Sequence, residues 1–269
     1  VALTGETGGY YADFDALDAV PKTWNSGFFH DGTYSSFRGR EHGRPIPAES
    51  PSWRLVTFAQ DHDQIGNRAA GDRLSATLSP DRLAVAAVLT LTAPGTPMLF
   101  MGEEWGASTP WPFFTSHPEQ WLGEAVRKGR AEEFAKTDWD ESLVPDPQDP
   151  ATFQSAKLAW EEAEAGDHAR ILALYRELAR LRRERPELTD PASAHLSAAI
   201  ERTDAAPSAR RFVLGRGALR IIVNLAADPW DVPLAEAEGV LLATVPVSPA
   251  AGMVTVPADA AVVLGPLHP

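Results

Sequence analysis

The sequence predicts an α/β region followed by a small antiparallel β-sandwich, with the change at about residue 189. Three observations predict it. Two short apolar runs, at 53–58 and 97–101, flank a helical stretch rich in Ala, Leu and Val, which is the strand–helix–strand order of a parallel βαβ unit. Further on, Ile171, Leu174, Leu178 and Leu181 recur at helical spacing between Arg-rich flanks. Beyond about 190 the texture changes to short Val-, Leu- and Ile-rich runs separated by Gly, Pro and Asp, the pattern of a sandwich.

Residues 1–50 are rich in Gly, Tyr, Phe and His and show little periodicity. Short helices are expected from Asp13 to Val20 and from Lys22 to Phe28. Phe37 to Pro45 reads as a loop, and long loops inside a domain are usually functional. Trp53 to Phe58 reads as a buried parallel strand. Ser79 can cap a helix that has Pro80 at its first position and runs through Leu83 to Thr92. Ala93-Pro94-Gly95-Thr96 ends it, and Pro97 to Met101 is of strand length. Helices are then expected over His117 to Lys136, Phe153 to Ala165 and Ala169 to Arg185. Val144 to Pro150 is excluded from helix by three prolines in seven residues. The sandwich strands are expected at Arg211–Gly215, Ala218–Leu225, Gly239–Val245, Met253–Val256 and Ala260–Leu264.

The chain carries 24 basic and 37 acidic residues, a net charge of −13. Nucleic-acid and anionic-lipid partners are disfavoured by that balance, because phosphate contacts need clustered Lys and Arg. A neutral, hydroxyl-rich ligand and a cation are both compatible with it. The absence of cysteine excludes disulfides, thiolate nucleophiles and iron–sulfur clusters, and it fits a cytoplasmic protein. No apolar run approaches the roughly 20 residues of a membrane span. The first residue is Val1, and the pattern from Tyr10 to Val20 resembles the end of a helix already under way. A C-terminal piece of a longer polypeptide is therefore expected, the alternative being an ordinary N-terminus with Met removed or a tag trimmed. Only two parallel strands are evident, whereas a complete (β/α)8 barrel needs eight strands and about 250 residues. Either the sheet is small and open, or further strands lie upstream of Val1.

The chemistry concentrates in Gln60-Asp61-His62-Asp63-Gln64, directly after the first apolar run. The carboxyl ends of parallel strands are where ligands bind in α/β folds. Two carboxylates are what glycoside hydrolysis requires. On an extended backbone Asp61 and Asp63 would point the same way and His62 the other. A solvated, capped turn is the competing reading. A divalent metal would need more ligands than follow at suggestive spacing, so no metal or cofactor is expected. Met101-Gly102-Glu103-Glu104-Trp105-Gly106 follows the second run, with Trp111, Phe113, Phe114 and Trp121 beyond. Rings of this kind stack on sugar faces or simply pack. Zinc-hydrolase His spacing, the P-loop, G-x-G-x-x-G and G-x-S-x-G are all absent from the sequence.

Phe58 to Asp63 resembles the fourth conserved region of the α-amylase superfamily, glycoside hydrolase family 13, where an apolar strand leads into a His-Asp pair. Pro94 to Glu104 resembles that superfamily's strand-eight segment. Phe37-Arg38-Gly39-Arg40, Gln64 to Arg68, Gly102 to Ser108 and Val144 to Pro150 are similar to its branch acting on maltooligosyltrehalose. The likeness covers most of 1–165 and is diffuse over the sandwich. It implies an α/β fold: the C-terminal part of a (β/α)8 TIM barrel over 1–188, with strands seven and eight at about 53–58 and 97–101, then a small antiparallel β-sandwich over 189–269. It implies hydrolysis of the α-1,4 bond beside the terminal trehalose unit of maltooligosyltrehalose, with net retention. Asp63 would be the third catalytic carboxylate, stabilising the transition state. His62, Asp61, Gln64, Phe37, Arg38, Tyr11, Glu104 and Trp105 would bind the maltooligosaccharide. The nucleophilic Asp and the acid/base Glu have no counterpart here and would lie in the N-terminal remainder of the same polypeptide. An α-amylase, a branching enzyme or a non-catalytic sugar-binding fragment are the alternatives. The superfamily usually has Asn where this chain has Asp61, and no catalytic role is expected for that residue.

Overall fold

The computed structural model describes residues 1–134, 144–192, 195–202 and 209–267. A 3-10 turn at Gly9–Asp15 precedes α1 (Ala19–Ser26), where two short helices are expected from sequence. β1 (Tyr34–Ser35) and β2 (Arg40–Glu41) form a hairpin in which Ser35 faces Arg40, leaving a four-residue tip. Gly39, at φ +63°, closes that tip, and its N–H donates to the Ser35 carbonyl at 2.9 Å. β3 (Val56–Thr57), α2 (His62–Gly66), α3 (Pro80–Thr92) and β4 (Thr96–Pro97) follow. Then come α4 (Gln120–Phe134), α5 (Pro150–Ser155) and α6 (Gly166–Glu184). The chain ends in β5 (Leu196–Ile200), β6 (Arg211–Arg216), β7 (Leu219–Asn224), β8 (Trp230–Pro233), β9 (Glu238–Ala243), β10 (Met253–Val256) and β11 (Ala260–Pro266).

These elements divide between two units. The first holds Val1–Phe58, Asp81–Met98 and Ala173–Pro269; the second holds Ala59–Pro80 and Leu99–Leu172. In the first, the antiparallel sheet has the order β5-β6-β7-β11-β9, and β8 pairs with β10 in a separate sheet. Ile222, Val262 and Leu264 pack with Val232, Val254 and Val256 to form the core between the two sheets. Their neighbours in sequence, Ile221, Val223, Ala261 and Val263, are equally buried, as the two-residue period of a doubly covered sheet requires. The α1 helix packs along β5 and β6, where the Trp24 indole N–H donates to the Gly215 carbonyl at 3.2 Å. Two arginines meet the C-terminal carbonyls of α3. Arg182 donates to Leu91 at 2.8 Å and Gly95 at 3.0 Å, and Arg216 to Thr92 at 3.0 Å. Positive charge there satisfies orphan carbonyls and the negative end of the helix dipole.

The first unit also holds the βαβ element. β3 and β4 pair in parallel, Val56 opposite Thr96, with α3 between them in sequence. Each strand is two residues long, shorter than the expected 53–58 and 97–101; a 3-10 turn over Ser52–Arg54 takes the start of the first, and the second covers only Thr96–Pro97. The barrel is not present: among the described residues β3 and β4 are the only parallel pair, and a sandwich occupying the last third leaves too little chain for eight strands. Parallel strands are normally covered on both faces, yet Val56 is 56% exposed and Met98, just past β4, 39%.

In the second unit the expected helix over 153–165 is broken. Pro150 sits in the first turn of α5 with Asp149 as its cap, which starts that helix early; the helix stops at Ser155, and a 3-10 turn takes Trp160–Glu164. Gly71, at φ +67°, lets two loops close on each other. Its carbonyl accepts the Trp111 N–H at 2.7 Å, and a Cβ there would lie 2.1 Å from the Pro112 nitrogen. Residues 135 and 136 of the expected helix over 117–136 lie outside the described residues.

Candidate functional site

The strand ends at Thr57, four residues before Asp61, so strand alternation does not set the directions of Asp61, His62 and Asp63. Asp61 is instead the N-cap of α2, its backbone extended and its Oδ1 accepting the Gln64 N–H at 2.7 Å. His62 and Asp63 fall in the first turn. Both side chains are exposed, at 69% and 76%, and they touch through Nε2 and Oδ1 at 3.4 Å. Ile65, buried at 2%, anchors the opposite side of the helix. The helix therefore presents one carboxylate, one imidazole and the Gln64 amide outward, a set suited to hydroxyl groups. Asp and Asn cap helices about equally well, so an Asn at position 61 could hold the same cap.

Gln60, buried at 5%, accepts the Leu74 N–H at 3.1 Å and ties the same loop to the next one. Arg73 is buried against the Phe100 ring, 5.0 Å from its centroid, and donates to the carbonyls of Thr109 at 2.5 Å and Met101 at 2.8 Å. Its Nη2 has no hydrogen-bond partner among the described residues. Burial pushes the Arg73 guanidinium down, against the opposing charges of Glu103, Glu104 and Glu162. Glu103 is buried and accepts the Phe100 N–H at 3.2 Å, while Glu104 is half-buried in the same 3-10 turn. Trp105 has 2% of its surface exposed and lies against Trp160, ring centroids 5.1 Å apart. As seated, Trp105 offers almost nothing to a ligand. Glu162 holds Trp160's turn in place by accepting from the Ser108 amide at 3.1 Å and from its hydroxyl. Burial pushes the Glu162 carboxyl up, but these two bonds, with the charge of His168 and a contact from Trp105, together hold it below its ordinary value.

In the first unit the hairpin tip carries Phe37 and Arg38, both exposed. Asp13 positions it by accepting the Ser36 N–H at 2.8 Å, and the Ser36 contact holds the Asp13 carboxyl below its ordinary value. Tyr10 joins Tyr11 to Phe37, at 4.3 and 5.9 Å between centroids, and its hydroxyl donates to that of Tyr11 at 3.0 Å. Two of the three residues singled out in this region thus share one aromatic cluster. Sequence reasoning missed Tyr10, Arg73 and Trp160. A second Tyr beside Tyr11 was the available signal for the first; the others show only in three dimensions. Among the described residues no three His, Asp or Glu side chains gather as metal ligands, and no helix is long and apolar enough to cross a membrane.

Residues 196–263, from β5 into β11, match a family described as a domain of unknown function (DUF3459). A crystal structure of a candidate alpha amylase from Salmonella typhimurium superposes with a TM-score of 0.82 at 34% identity, covering 98% of this chain and 44% of that one. The sequence is also similar to proteins named malto-oligosyltrehalose trehalohydrolase. It is 54% identical to that of Arthrobacter ramosus over 241 residues, 90% of this chain and 40% of the relative. It is 62% identical to that of Brevibacterium helvolum over 191 residues, 71% of this chain and 32% of the relative. The more distant Saccharolobus solfataricus protein is 35% identical over 182 residues, 68% of this chain and 30% of the relative. The chain thus spans about two fifths or less of the length of these relatives.

Proposed function

We propose that this chain supplies the strand-seven and strand-eight portion of a malto-oligosyltrehalose trehalohydrolase barrel, over 1–188, together with its C-terminal sandwich, over 189–269. The observation that carries the reading is the 54% identity to such an enzyme over 90% of the chain. The exposed apolar residues along β3 and β4 support it, since a parallel pair lacking its sheet neighbours presents such a face. The remainder of the same polypeptide would supply the other strands, the nucleophilic Asp and the acid/base Glu. A cytoplasmic setting belongs to the same proposal and rests on the cysteine-free composition.

The reaction is hydrolysis of the α-1,4 bond beside the terminal trehalose unit of maltooligosyltrehalose. It runs with retention through a glycosyl-enzyme, the nucleophile and acid/base lying about 5–5.5 Å apart. Asp63, presented outward by α2, accepts from the hydroxyls of the sugar being cleaved. Its negative charge favours the oxocarbenium-like transition state over the neutral ground state. His62 hydrogen-bonds the same sugar, with Gln64 and Glu104 as further contacts. The hairpin tip, with Phe37, Arg38 and Tyr11, contributes rings and a guanidinium for the trehalose end or flanking glucoses. Asp61 acts through the α2 cap.

The test is product analysis: maltooligosyltrehalose is incubated with the complete polypeptide and the products are separated by chromatography. Free trehalose and a shortened maltooligosaccharide are expected. An α-amylase or branching activity, the second reading, draws on the similarity to the Salmonella structure and predicts maltose or branched products instead.

A further inference from the structure

We propose that Arg130 is a positioning residue that fixes the helix carrying His62 and Asp63; the inference rests on the role proposed for Asp63. With five residues, α2 is far below the roughly 12–15 at which a helix begins to hold by itself in water, so its orientation is set by the buried Ile65 together with what grips its ends. At the N-terminus the grip is the Asp61 cap. At the C-terminus it is Arg130, reaching from α4. Its Nη2 donates to the Gly66 carbonyl and its Nη1 to the Asn67 Oδ1 at 3.2 Å.

Three features make this a fixed clamp. The side chain is buried, 8% exposed, so its charge is held where it needs those acceptors. Its guanidinium lies over the Phe113 ring, 4.9 Å from the centroid, which occupies one face and restricts the swing of the group. The fork spans two residues at once, and a positive charge there complements the negative end of the helix. A lysine has all three of its N–H donors on a single nitrogen and cannot reproduce both bonds with the geometry of the fork. The tilt of α2 decides where the Asp63 carboxylate sits, and a misplacement of about 1 Å costs about 100-fold in rate.

The experiment uses the complete polypeptide carrying Arg130→Ala, Arg130→Lys or Asn67→Ala. Hydrogen exchange at the Ile65 and Asn67 amides, kcat and KM for maltooligosyltrehalose, and the thermal midpoint are measured together. Arg130→Ala should speed exchange at both amides and lower kcat about 10- to 100-fold with KM nearly unchanged. Arg130→Lys should recover part of each effect, and Asn67→Ala should show a smaller one. Unchanged exchange in Arg130→Ala, or a kcat loss that merely follows the folded fraction, overturns the proposal. If Arg130→Ala does not fold, Arg130→Lys and Asn67→Ala carry the same test. Failure of the trehalohydrolase reading is separately visible, because the unaltered polypeptide would then release no trehalose while the exchange result still reports on the clamp.

Discussion

Asp61 separates a structural from a chemical role within one residue. Its Oδ1 accepts the Gln64 N–H at 2.7 Å, and Gln64 N is one of the amides that a helix start leaves without an intrahelical partner. Removing the cap with Asp61→Ala should cost about 1 kcal/mol, a rise of about fivefold in the local opening of α2. Asp61→Asn keeps the acceptor and loses only the charge–dipole part, about 0.3–1 kcal/mol at low ionic strength. That smaller difference should fade in salt, whereas the alanine effect should persist. Hydrogen exchange at the Gln64 amide reads the cap directly. The expected order of protection is wild type, then Asp61→Asn close behind, then Asp61→Ala. Trehalose release should follow the same order. Protection of Gln64 that survives in Asp61→Ala, or an Asn variant as impaired as the Ala variant, would refute the capping argument and return Asp61 to the list of substrate contacts.

Two other perturbations are equally specific. Arg220 grips Glu238 with two N–H groups, Nε at 2.8 Å being one. Burial pushes the Glu238 carboxyl up, but the Arg220 fork and the Ala235 amide outweigh it and hold it below its ordinary value of 4.5. A carboxylate lowered in the folded state stabilises fully above its ordinary range and loses that contribution as pH falls through the folded value. Glu238→Gln should therefore cost about 1–2 kcal/mol at pH 7, and the gap in thermal midpoint should close in acid; a gap independent of pH would count against it. Gly71→Ala should destabilise the second unit by several kcal/mol, because the added Cβ meets the Pro112 backbone and the residue must keep a positive φ. An alanine variant with an unchanged thermal midpoint would contradict the observed loop closure.

The sandwich was legible where β-branched residues cluster. Met253–Val256 falls where the sequence reading has it, and the Ile221-Ile222-Val223 run lies inside β7. β5 and β8 were not legible: Leu-Ser-Ala-Ala-Ile carries little strand preference, and Trp-Asp-Val-Pro is short and ends in proline. The stretch from 153 to 165 is full of Ala and Glu, strong helix formers. Tertiary contacts nevertheless override that preference around Trp160 and Glu162, which are tied to Trp105 and Ser108. At the candidate site, the polar run after an apolar strand stood out, and the side-chain directions did not, because they depend on where the strand stops. Arg73 and Arg130 were invisible for a related reason. Their main partners are backbone carbonyls far away in sequence, and a carbonyl carries no residue-type signal.

The most direct test of the central claim is the rate at which the complete polypeptide carrying Asp63→Asn releases trehalose from maltooligosyltrehalose. The amide is close to isosteric, and the exposed Asp63 side chain is not the cap of α2, so the thermal midpoint should stay where it is. The predicted result is a fall in kcat of about 100-fold or more, the scale of losing one electrostatic contact made mainly in the transition state. A variant that releases trehalose at the wild-type rate would contradict the assignment of Asp63 and with it the proposed place of this chain in the active site.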